Sequence, residues 1–415
     1  LIYRGVTMKT LVLGKGVAND GVVLLLNEEK IEYDYLNLDE VVSFEYDLVV
    51  KAPGIVMSEK IIQSFLEKKI QVITDIELAY MLRKKFYIGV TGSNGKTTTV
   101  SLITHILAAK YDVVACGNIG YSVCRALVEH PDADIFVVEC SSFQLETSKI
   151  DFNISVLLNV HPCHLDHHNT YQDYIESKAN ICKNQSSSHY CIYHLDDPIL
   201  RDMVQSIDAE NISFSRTSYL AKCCIYDGYI YHNKKRIIKL EQDLKNKPFF
   251  LEDVMASISA VSLVKGVTPK IIKEQLKTFE EVEYRLTKIN DFIYNDAKST
   301  NPYSTMAALE CFDEVELVCG GYDRKENLSC LQDALPKLKR VYAYGQTREK
   351  VKKYMLENQI ECFTFDSLDE AFTRAYQDRK EEIILFSPMF ASFDHFKNYI
   401  ERGKYFNEIA KKILD

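Results

Sequence analysis

The sequence of 415 residues predicts an α/β protein with mainly parallel sheets, arranged as three domains. Short runs rich in β-branched and aromatic residues alternate with helix-like segments, which is typical of strand–helix–strand units. The chain is also long for one domain, since a typical domain has roughly 100–200 residues. Finally, the strand "FYIGV" at residues 86–90 runs through a glycine-containing loop into an amphipathic helix. These observations together favour successive α/β domains.

The three predicted domains span residues 1–83, 84–283 and 284–415. In the first, "TLVLGKGVAN" and "YDLVVKAPGI" each contain a strand that ends at a turn. The second continues after "FYIGV" with the strands "ADIFVVEC", "ISVLLNV" and "YCIYHLDD", a hairpin in "CCIYDGYIYHN" and helices near 252–265 and 268–278. The third repeats strand–helix units through "DFIYND", "EVELVCGG", "RVYAYG" and "EIILFSP". The first methionine is Met8, so residues 1–7 are interpreted as an added remnant and are left out of the fold prediction.

Composition narrows the class of protein. A hydrophobic fraction of 47% and a charged fraction of 26% are typical of a soluble globular chain. A net charge of −9 argues against broad nucleic-acid binding. No segment approaches the roughly 20 apolar residues of a membrane span, and no secretory signal is present. The 12 cysteines form no C-x-x-C pair, which favours a reducing compartment. We therefore expect a cytoplasmic protein with no membrane or nucleic-acid partner. We also expect a monomer.

The stretch "GVTGSNGKTTTV" at residues 89–100 is the strongest single motif. It departs from the usual phosphate-loop pattern G-x-x-x-x-G-K-[ST], because Val90 stands where the first glycine is required. Its strand–loop–helix context nevertheless suits an anion, since helix N-terminal N–H groups point at the ligand. Lys96 would then lie near the β- and γ-phosphates, and Thr97 would bind Mg²⁺. The alternative is an ordinary turn capped by Ser93 or Thr91.

Two further features of the predicted central domain have competing interpretations. Glu139 ends a buried strand, where a carboxylate is costly unless it binds a metal or a cation; the alternative is a surface carboxylate at a strand end. Lys178 lies on a helix and by itself suggests a solvated surface lysine.

A histidine-rich segment raises the question of zinc. The residues that would suit this metal are His161, Cys163, His164, Asp166, His167 and His168. Their spacing matches no standard structural zinc pattern, and no second Cys/His pair lies nearby. Zinc is therefore disfavoured.

The N-terminal "GKGVAN", residues 14–19, is a weak dinucleotide-binding signal. A dinucleotide fold would require an acidic residue about 20 positions later, and Asn37 stands there. NAD binding is therefore disfavoured.

The string "TGSNGKT" at residues 91–97 resembles the phosphate loop of the Mur ligase and folylpolyglutamate synthase superfamily. These enzymes join an amino acid to a carboxylate at the expense of ATP. "CGNIGYSV", "NVHPCHLD", "YIESKANI", "EYRLT" and "NDAKSTN" are similar to further motifs of the same superfamily. The resemblance implies a Rossmann-like N-terminal domain, a central phosphate-loop ATPase-type domain and a Rossmann-like C-terminal domain.

The resemblance also assigns roles to individual residues. It implies catalytic roles for Lys96, Asn118, Glu139, His164, Lys178 and Lys298. It implies ATP contacts from Gly92, Ser93, Asn94, Gly95, Lys96, Thr97, Thr98, Asp253, Arg285, Asp296 and Thr300. It implies two Mg²⁺ ions bound by Thr97, Glu139, His164 and Lys178, the lysine carrying a carbamate formed with CO₂.

The motifs "GGYDRKENL" and "LFSPMFASFDHFKNYIERGKYF" are similar to those of the D-glutamate-adding branch of the Mur ligases. This similarity implies that Arg324, Ser392, Phe393 and Tyr399 surround the incoming D-glutamate. It also implies that a UDP-linked substrate contacts Gly14, Lys15, Gly16, Val17, Ala18, Asn37, Ser141, Ser142 and Gln144.

Several residues depart from the family pattern. Cys163 replaces an acidic residue, Tyr284 a histidine and Asn19 a glycine. Phe249, Phe250 and Asp253 replace a His-Asn…Asn set, so the adenine contact at Asp253 is altered. Arg324 replaces a lysine, and arginine is a competent bidentate carboxylate ligand.

The expected reaction is ATP-dependent amide formation between UDP-N-acetylmuramoyl-L-alanine and D-glutamate through an acyl phosphate, a cytoplasmic step of peptidoglycan precursor synthesis. A folylpolyglutamate synthase-type ligase is the enzymatic alternative, but that activity gives no reason for the N-terminal domain or for "ASFDHFKNYIERG". A non-catalytic nucleotide-binding or scaffold protein is the alternative from another class. The presence of Lys96, Glu139, His164, Lys178 and Lys298 argues against it.

Overall fold

A computed structural model of the chain describes residues 2–3, 6–165, 167–280 and 282–414. The chain forms two compact units. The first comprises residues 1–162, 167–241 and 250–279, and the second comprises 163–166, 242–249 and 280–415. The predicted α/β class with mainly parallel sheets is confirmed. The predicted boundary near residue 84 lies inside the first unit, between two separate sheets, and the three-domain division stays a prediction.

The N-terminal part of the first unit contains a four-stranded, fully parallel sheet. Its elements are β1 (Ile2–Tyr3), β2 (Val6–Thr7), β3 (Thr10–Leu13), α1 (Val17–Glu28), β4 (Tyr33–Leu36), β5 (Leu48–Lys51), α2 (Lys60–Glu67), β6 (Gln71–Ile73) and α3 (Asp75–Leu82). The strand order is β4-β3-β5-β6, and β1 and β2 form a separate antiparallel pair. All four residues of β3 and of β5 are buried, as expected for parallel strands covered on both faces.

The remainder of the first unit is built on a nine-stranded sheet. Its elements up to the last strand are β7 (Phe86–Thr91), α4 (Lys96–Leu107), β8 (Val113–Gly117), α5 (Val123–Glu129), β9 (Ile135–Glu139), α6 (Ser142–Leu145), β10 (Ile154–Leu157), α7 (Tyr171–Ala179), β11 (Tyr190–His194), α8 (Pro198–Met203), β12 (Glu210–Ser215), β13 (Cys223–Tyr226), β14 (Tyr229–His232) and β15 (Lys235–Lys239). After α9 (Gln242–Lys245) follow α10 (Pro248–Val261) and α11 (Pro269–Thr278).

The order of this sheet is β15-β14-β13-β12-β11-β10-β7-β9-β8, with β14 and β15 antiparallel to their neighbours. Strand β7 lies between β10 and β9, and all three are parallel. Because parallel strands end at the same edge, the loops after β7, β9 and β10 lie side by side. The predicted hairpin is confirmed, with Tyr226 opposite Tyr229 and a positive φ at Asp227 and Gly228.

The second unit contains a six-stranded sheet. Its elements from residue 280 onward are β16 (Thr287–Lys288), β17 (Ile293–Asn295), α12 (Pro302–Leu309), β18 (Val315–Gly320), β19 (Leu338–Tyr344), α13 (Arg348–Glu357), β20 (Cys362–Phe365), α14 (Leu368–Asp378), β21 (Ile383–Phe386) and α15 (Tyr399–Leu414). The order is β16-β17-β21-β18-β19-β20, and only the pairing of β16 with β17 is antiparallel among these strands. Leu317 and Val318 belong to two different core clusters, so alternate residues of β18 pack on opposite faces.

Short 3₁₀ segments complete the secondary structure, at Leu38–Glu40, Val204–Ser206, Leu328–Lys337 and Gly345–Thr347. No helix in the described part of the chain has the length and apolar character that a membrane span requires.

Arg402 on α15 is fully buried and ties together two loops of the second unit. Its Nη1 donates to the carbonyl of Phe390 at 3.0 Å, and its Nη2 donates to the carbonyl of Ala297 at 3.1 Å. These carbonyls follow β21 and β17, which are neighbouring strands. Among the described residues, Nε has no acceptor. The guanidinium therefore fixes the chain beside Lys298 and beside Ser392 at once.

We expect Arg402→Met to lower the free energy of unfolding by about 2–6 kcal/mol, because two buried carbonyls lose their donor at about 1–3 kcal/mol each. Urea denaturation followed by circular dichroism measures the change. Arg374→Met is the matched control, since Arg374 pairs with Asp378 on a half-exposed helix face, where solvent screens the interaction and such pairs contribute little to stability. Equal losses of stability in the two variants would contradict the structural role of Arg402.

Candidate active site

The loop of residues 92–95 joins β7 to α4, at the position where the sequence predicts a phosphate-binding turn. Gly95 has a φ of +83°, a backbone conformation that favours glycine. A Cβ at this position would lie 2.2 Å from Asp253 Oδ1. Any larger residue at position 95 would therefore be strained and would also collide with its neighbour. Helix α4 begins at Lys96, directly after Gly95. The N–H groups of its first turn have no acceptor within the helix, and such groups are the donors that an anion site requires.

Asn159, which follows β10, holds this loop in place. Its Oδ1 accepts from Asn94 N at 2.9 Å, and its carbonyl accepts from Ser93 N at 2.9 Å. Its Nδ2 donates to the Asn94 carbonyl at 3.3 Å. In the sequence this residue is only the start of the "NVHPCHLD" motif, and no role was predicted for it.

The ammonium of Lys96 lies over the loop. It donates to the carbonyls of Gly92 at 2.8 Å and Ser93 at 3.1 Å. The lysine is half-buried at the N-terminus of α4, so its charge adds to that of the helix dipole at the same position.

Glu139 ends β9 and is 3% exposed. Its Oε2 accepts from Thr97 Oγ1 at 2.7 Å, and its Oε1 accepts from Asn118 Nδ2 at 2.9 Å. The structure thus brings together three of the predicted residues beside the phosphate loop, and the surface-carboxylate interpretation of Glu139 is wrong. A carboxylate beside a threonine hydroxyl offers the hard oxygen ligands that Mg²⁺ prefers.

Lys178 lies on α7 and is 1% exposed, so the solvated-lysine interpretation is also wrong. Its Nζ donates to the Gly92 carbonyl at 2.8 Å and to Thr91 Oγ1 at 3.3 Å. The ammonium is 4.7 Å from the centre of the Tyr174 ring. The Tyr174 hydroxyl in turn lies 2.8 Å from Ser93 Oγ, so α7 supports the phosphate loop through two side chains.

Asp253 supports the loop from α10. Its Oδ1 accepts from Thr99 Oγ1 at 3.3 Å, and the residue is 9% exposed. Thr98, the neighbour of Thr99, is 4% exposed. The contact with Thr99 places Asp253 against the first turn of α4, to which Thr98 also belongs. The ATP contacts predicted for Asp253 and Thr98 stay predictions.

His164 lies in the short segment 163–166, which belongs to the second unit. Its φ is +57°. Asp166 lies outside the described residues. The predicted metal contact of His164 therefore stays a prediction.

The serines after β9 form local structure. Ser141 caps α6 by accepting from Gln144 N at 3.2 Å. Gln144 Nε2 donates to the buried carboxylate of Asp75 at 3.0 Å, where burial raises the pKa of Asp75. Ser142 Oγ lies 2.9 Å from His168 Nε2. Substrate contacts of Ser141, Ser142 and Gln144 stay predictions.

Lys51, Glu146, His167 and His168 form a polar cluster beside Ser142, and the sequence analysis did not predict it. His167 Nε2 is 2.9 Å from Glu146 Oε1, and Lys51 Nζ is 3.3 Å from Glu146 Oε2. Burial lowers the pKa of His168 to about 4, so its imidazole is neutral at pH 7. Burial raises the pKa of Glu146, but the His167 hydrogen bond and the Lys51 charge outweigh it and hold this pKa below its ordinary value. Glu146 could not be identified from sequence because it is 95 residues from Lys51 and 21 from His167.

The six predicted UDP-substrate residues of the N-terminal part lie at or beside the turn after β3; they are Gly14, Lys15, Gly16, Val17, Ala18 and Asn37. Gly14 has a φ of +87°, and Lys15 N donates to Asn37 Oδ1 at 3.2 Å. Gly16 precedes α1, which begins with Val17 and Ala18. Asn19, where the resemblance implies a glycine, donates to the carbonyls of Leu13 and Gly14 at 3.0 and 2.8 Å. These two hydrogen bonds stabilise the turn.

In the second unit, Asp296 is fully buried, and burial raises its pKa. Its Oδ2 accepts from Ser387 Oγ at 2.7 Å, and its Oδ1 accepts from Leu286 N at 3.3 Å. A ribose hydroxyl would have to share these oxygens with the hydrogen bonds already present. Arg285 Nη1 donates to Ser299 Oγ at 3.1 Å, on the loop that continues to the half-buried Thr300.

The predicted D-glutamate residues fall into two contacts of the second unit. Lys298 Nζ donates to the Tyr399 hydroxyl at 3.2 Å. The Arg324 guanidinium lies 5.2 Å from the centre of the Phe393 ring, which is 55% exposed. Ser392 is buried beside Phe393. Tyr284, where the resemblance implies a histidine, fills the space beside Gly403, where a Cβ would lie 2.5 Å from its ring.

Comparison with known proteins agrees with these features. Residues 90–243 match the Mur ligase middle domain. The UDP-N-acetylmuramoylalanine--D-glutamate ligase of Geobacillus kaustophilus (strain HTA426) is 34% identical over 418 residues, covering 96% of this chain and 92% of the relative. The ligase of the same name from Thermoanaerobacter pseudethanolicus (strain ATCC 33223 / 39E) is 33% identical, with 98% of each chain covered.

Solved structures support the fold. A pseudomurein peptide ligase type C from Methanothermus fervidus has a TM-score of 0.65 at 16% identity, with 98% of this chain and 100% of that chain covered. MurF ligase from Thermotoga maritima in complex with ADP has a TM-score of 0.62 at 16% identity, covering 97% and 94%. With this fold and the full-length sequence similarity, the chain belongs to the family of UDP-N-acetylmuramoylalanine--D-glutamate ligases.

Proposed function

We propose that this chain joins D-glutamate to UDP-N-acetylmuramoyl-L-alanine in an ATP-dependent reaction. The observation that carries the proposal is full-length similarity to ligases of that name, together with a phosphate loop flanked by Glu139 and Lys178. ATP, a UDP-linked precursor and D-glutamate are the proposed substrates. We further propose a cytoplasmic enzyme that acts as a monomer and needs no membrane or nucleic acid.

In the proposed reaction, a carboxylate oxygen of the UDP-linked substrate attacks the γ-phosphorus of ATP, and the bond to ADP breaks. The resulting acyl phosphate is attacked by the amine of D-glutamate, which loses a proton as the amide forms and phosphate leaves. Every reactant is anionic, so the protein must offset repulsion. Lys96 and the N-terminal N–H groups of α4 supply that positive potential at the phosphates.

The residues beside the loop fit Mg²⁺, because Thr97 and Glu139 present hydroxyl and carboxylate oxygens to each other at 2.7 Å. We propose that they hold Mg²⁺ together with His164, and that two ions are used. The metal would neutralise charge on the transferring phosphoryl group. Asn118 fixes the orientation of the Glu139 carboxylate through its 2.9 Å hydrogen bond.

We propose that Lys178 carries a carbamate in the active enzyme. Carbamylation converts the cation into an anion, and the carbamate nitrogen keeps one N–H for the Gly92 carbonyl, which Nζ contacts at 2.8 Å. The buried position shields such a group from bulk water. An unmodified ammonium would repel a metal ion bound nearby.

In the second unit we propose that Arg285, Lys298 and Thr300 contact ATP or its phosphates. Arg324, Ser392, Phe393 and Tyr399 would bind D-glutamate. The Lys298–Tyr399 hydrogen bond supports a shared position for the two sets, since it links one residue of each.

The purified enzyme should release phosphate with ATP, UDP-N-acetylmuramoyl-L-alanine and D-glutamate, and mass spectrometry should show the amide product. L-Glutamate, with this precursor or with a folate, should be inactive. Equal turnover of the two glutamate enantiomers would refute the assignment of the substrate.

Arg324→Ala should raise KM for D-glutamate far more than KM for ATP, because removing one partner of a charge-assisted hydrogen bond in a closed site costs roughly 2–5 kcal/mol.

Lys96→Ala should stop acyl-phosphate formation while the fold persists, because the side chain is half-buried at the loop and lies outside the hydrophobic core. A decrease in kcat of about 10²–10³ or more is expected for a charge-stabilising group. Single-turnover assays of ADP formation measure it. The control is Lys110→Ala, an exposed lysine just past the other end of α4. Normal ligation by Lys96→Ala would mean that residues 89–100 do not bind the phosphates.

Lys178→Ala should be folded but nearly inactive, and short carboxylic acids should partly restore its activity by taking the place of the carbamate. Wild-type activity should fall when bicarbonate is stripped and the pH is lowered, because carbamylation requires a neutral amine and CO₂. Lys183→Ala is the control, since Lys183 is exposed shortly after α7. Full activity of Lys178→Ala, or the unmodified mass of this lysine in active enzyme, would exclude the carbamate.

A further inference from the structure

Glu146, His167 and His168 form a compact group of metal-ligating side chains in the first unit. Their ligand atoms all lie within 4.8 Å of one another. Glu146 Oε1 is 2.9 Å from His167 Nε2 and 3.6 Å from His168 Nδ1. The exposed fractions of these side chains are 11%, 8% and 2%. The group is therefore largely withdrawn from water.

These separations suit a tetrahedral ion. Zinc binds nitrogen at about 2.0–2.1 Å and carboxylate oxygen at about 2.0–2.2 Å. Two ligands at tetrahedral angles then lie roughly 3.3 Å apart, and the observed 2.9 and 3.6 Å bracket that value. The third pair of ligand atoms, on His167 and His168, lies within 4.8 Å, and side-chain movement on binding would bring it to the tetrahedral separation.

The groups behind the three ligands also match a metal centre. His168 uses Nδ1 toward Glu146, and its other nitrogen, Nε2, lies 2.9 Å from Ser142 Oγ. The second oxygen of Glu146 is 3.3 Å from Lys51 Nζ, so Oε1 remains directed at the histidines. Phe143 stacks on the His167 ring with centres 3.9 Å apart. Such supporting contacts fix the orientation of ligands in metal sites.

A cavity of about 310 Å³ borders the three side chains and is lined in addition by Asp173 and Glu176. It offers space for water as a fourth ligand. Two imidazoles and one carboxylate with an open position is a donor set that zinc uses. Imidazole nitrogen selects zinc, cobalt or nickel over Mg²⁺. Mg²⁺ instead prefers oxygen ligands such as those of Thr97 and Glu139.

We propose that Glu146, His167 and His168 bind a divalent transition metal of the zinc class, at a site separate from the phosphate loop. The spacing within residues 161–168 alone disfavours zinc, but the fold adds Glu146 as a third ligand from outside that segment. The bound ion would link the chain just after α6, which carries Glu146, to the chain just before α7, which carries His167 and His168. His168 contacts the Tyr174 ring with centres 5.3 Å apart, and Tyr174 reaches Ser93 of the loop. The site thus stabilises the helix that carries Lys178.

The competing explanation is an ion-pair network of Lys51, Glu146 and His167 that needs no metal. Untagged protein, freed of metal with a chelator, is titrated with Co²⁺ in millimolar Mg²⁺. We expect about one equivalent of Co²⁺ to bind with the intense visible absorption of a tetrahedral ion. Zn²⁺ should displace it and raise the thermal midpoint by a few degrees.

His167→Gln and His168→Gln should each bind Co²⁺ at least tenfold more weakly and should no longer show the thermal shift. His130→Gln, which changes an exposed histidine of the same unit, and Glu139→Gln should bind as the wild type does. Metal-free His167→Gln and wild type should have similar thermal midpoints, which separates loss of metal from loss of fold. Absence of the tetrahedral absorption in wild type, or its persistence in both histidine variants, would overturn the proposal.

Discussion

The buried carboxylate of Glu139 is the constraint on which the phosphate-loop end of the first unit depends. A carboxylate that is 3% exposed is tolerated only if its oxygens are paired. Thr97 supplies one partner from the first turn of α4, and Asn118 supplies the other from the turn after β8. Because β9 lies between β7 and β8, both partners come from loops at the same sheet edge. The strand order thus brings the carboxylate and the phosphate loop together.

The sheet edge at which β7 and β10 end also determines the position of Lys178. Strand β10 is the other neighbour of β7, and the chain that follows it leads through Asn159 to α7. Asn159 fixes the loop backbone, and α7 places Lys178 against the Gly92 carbonyl. The loop is therefore held on one side by an amide and on the other by an ammonium. A change in the charge of Lys178 would act directly on the loop backbone, since its Nζ bonds that backbone without an intervening group.

Local sequence was sufficient for much of the fold. The strand–loop–helix of residues 86–107 and the hairpin at Asp227-Gly228 each depend on contacts within a few residues, and both are observed. Strand β12 was missed because "ENISFS" mixes polar residues into a buried strand. The helix predicted at 252–265 instead spans Pro248–Val261, since proline is tolerated in a first turn.

The candidate site was predictable only where a motif marked it. Lys96, Thr97 and Glu139 belong to recognisable strings, and the structure brings Thr97 and Glu139 into contact. The burial of Lys178 was not visible, because α7 looks amphipathic and its polar face could equally have met water. Glu146 and Arg402 were missed for another reason. Lys51 is 95 residues from Glu146, and Ala297 is 105 residues from Arg402, so the folded chain is needed to bring these partners together.

Asp253, where the family resemblance implies an asparagine, packs against the loop of residues 92–95 and the start of α4. The carboxylate lies where a Cβ at position 95 would be, and it accepts a hydrogen bond from Thr99 on α4. A negative charge at the N-terminal turn of a helix is favourable, because the dipole there is positive. The same charge would lower the positive potential at the loop for a phosphate bound there, as proposed. The observed contact of Asp253 therefore supports α4, and under the proposed function Lys96 would offset the charge of this carboxylate.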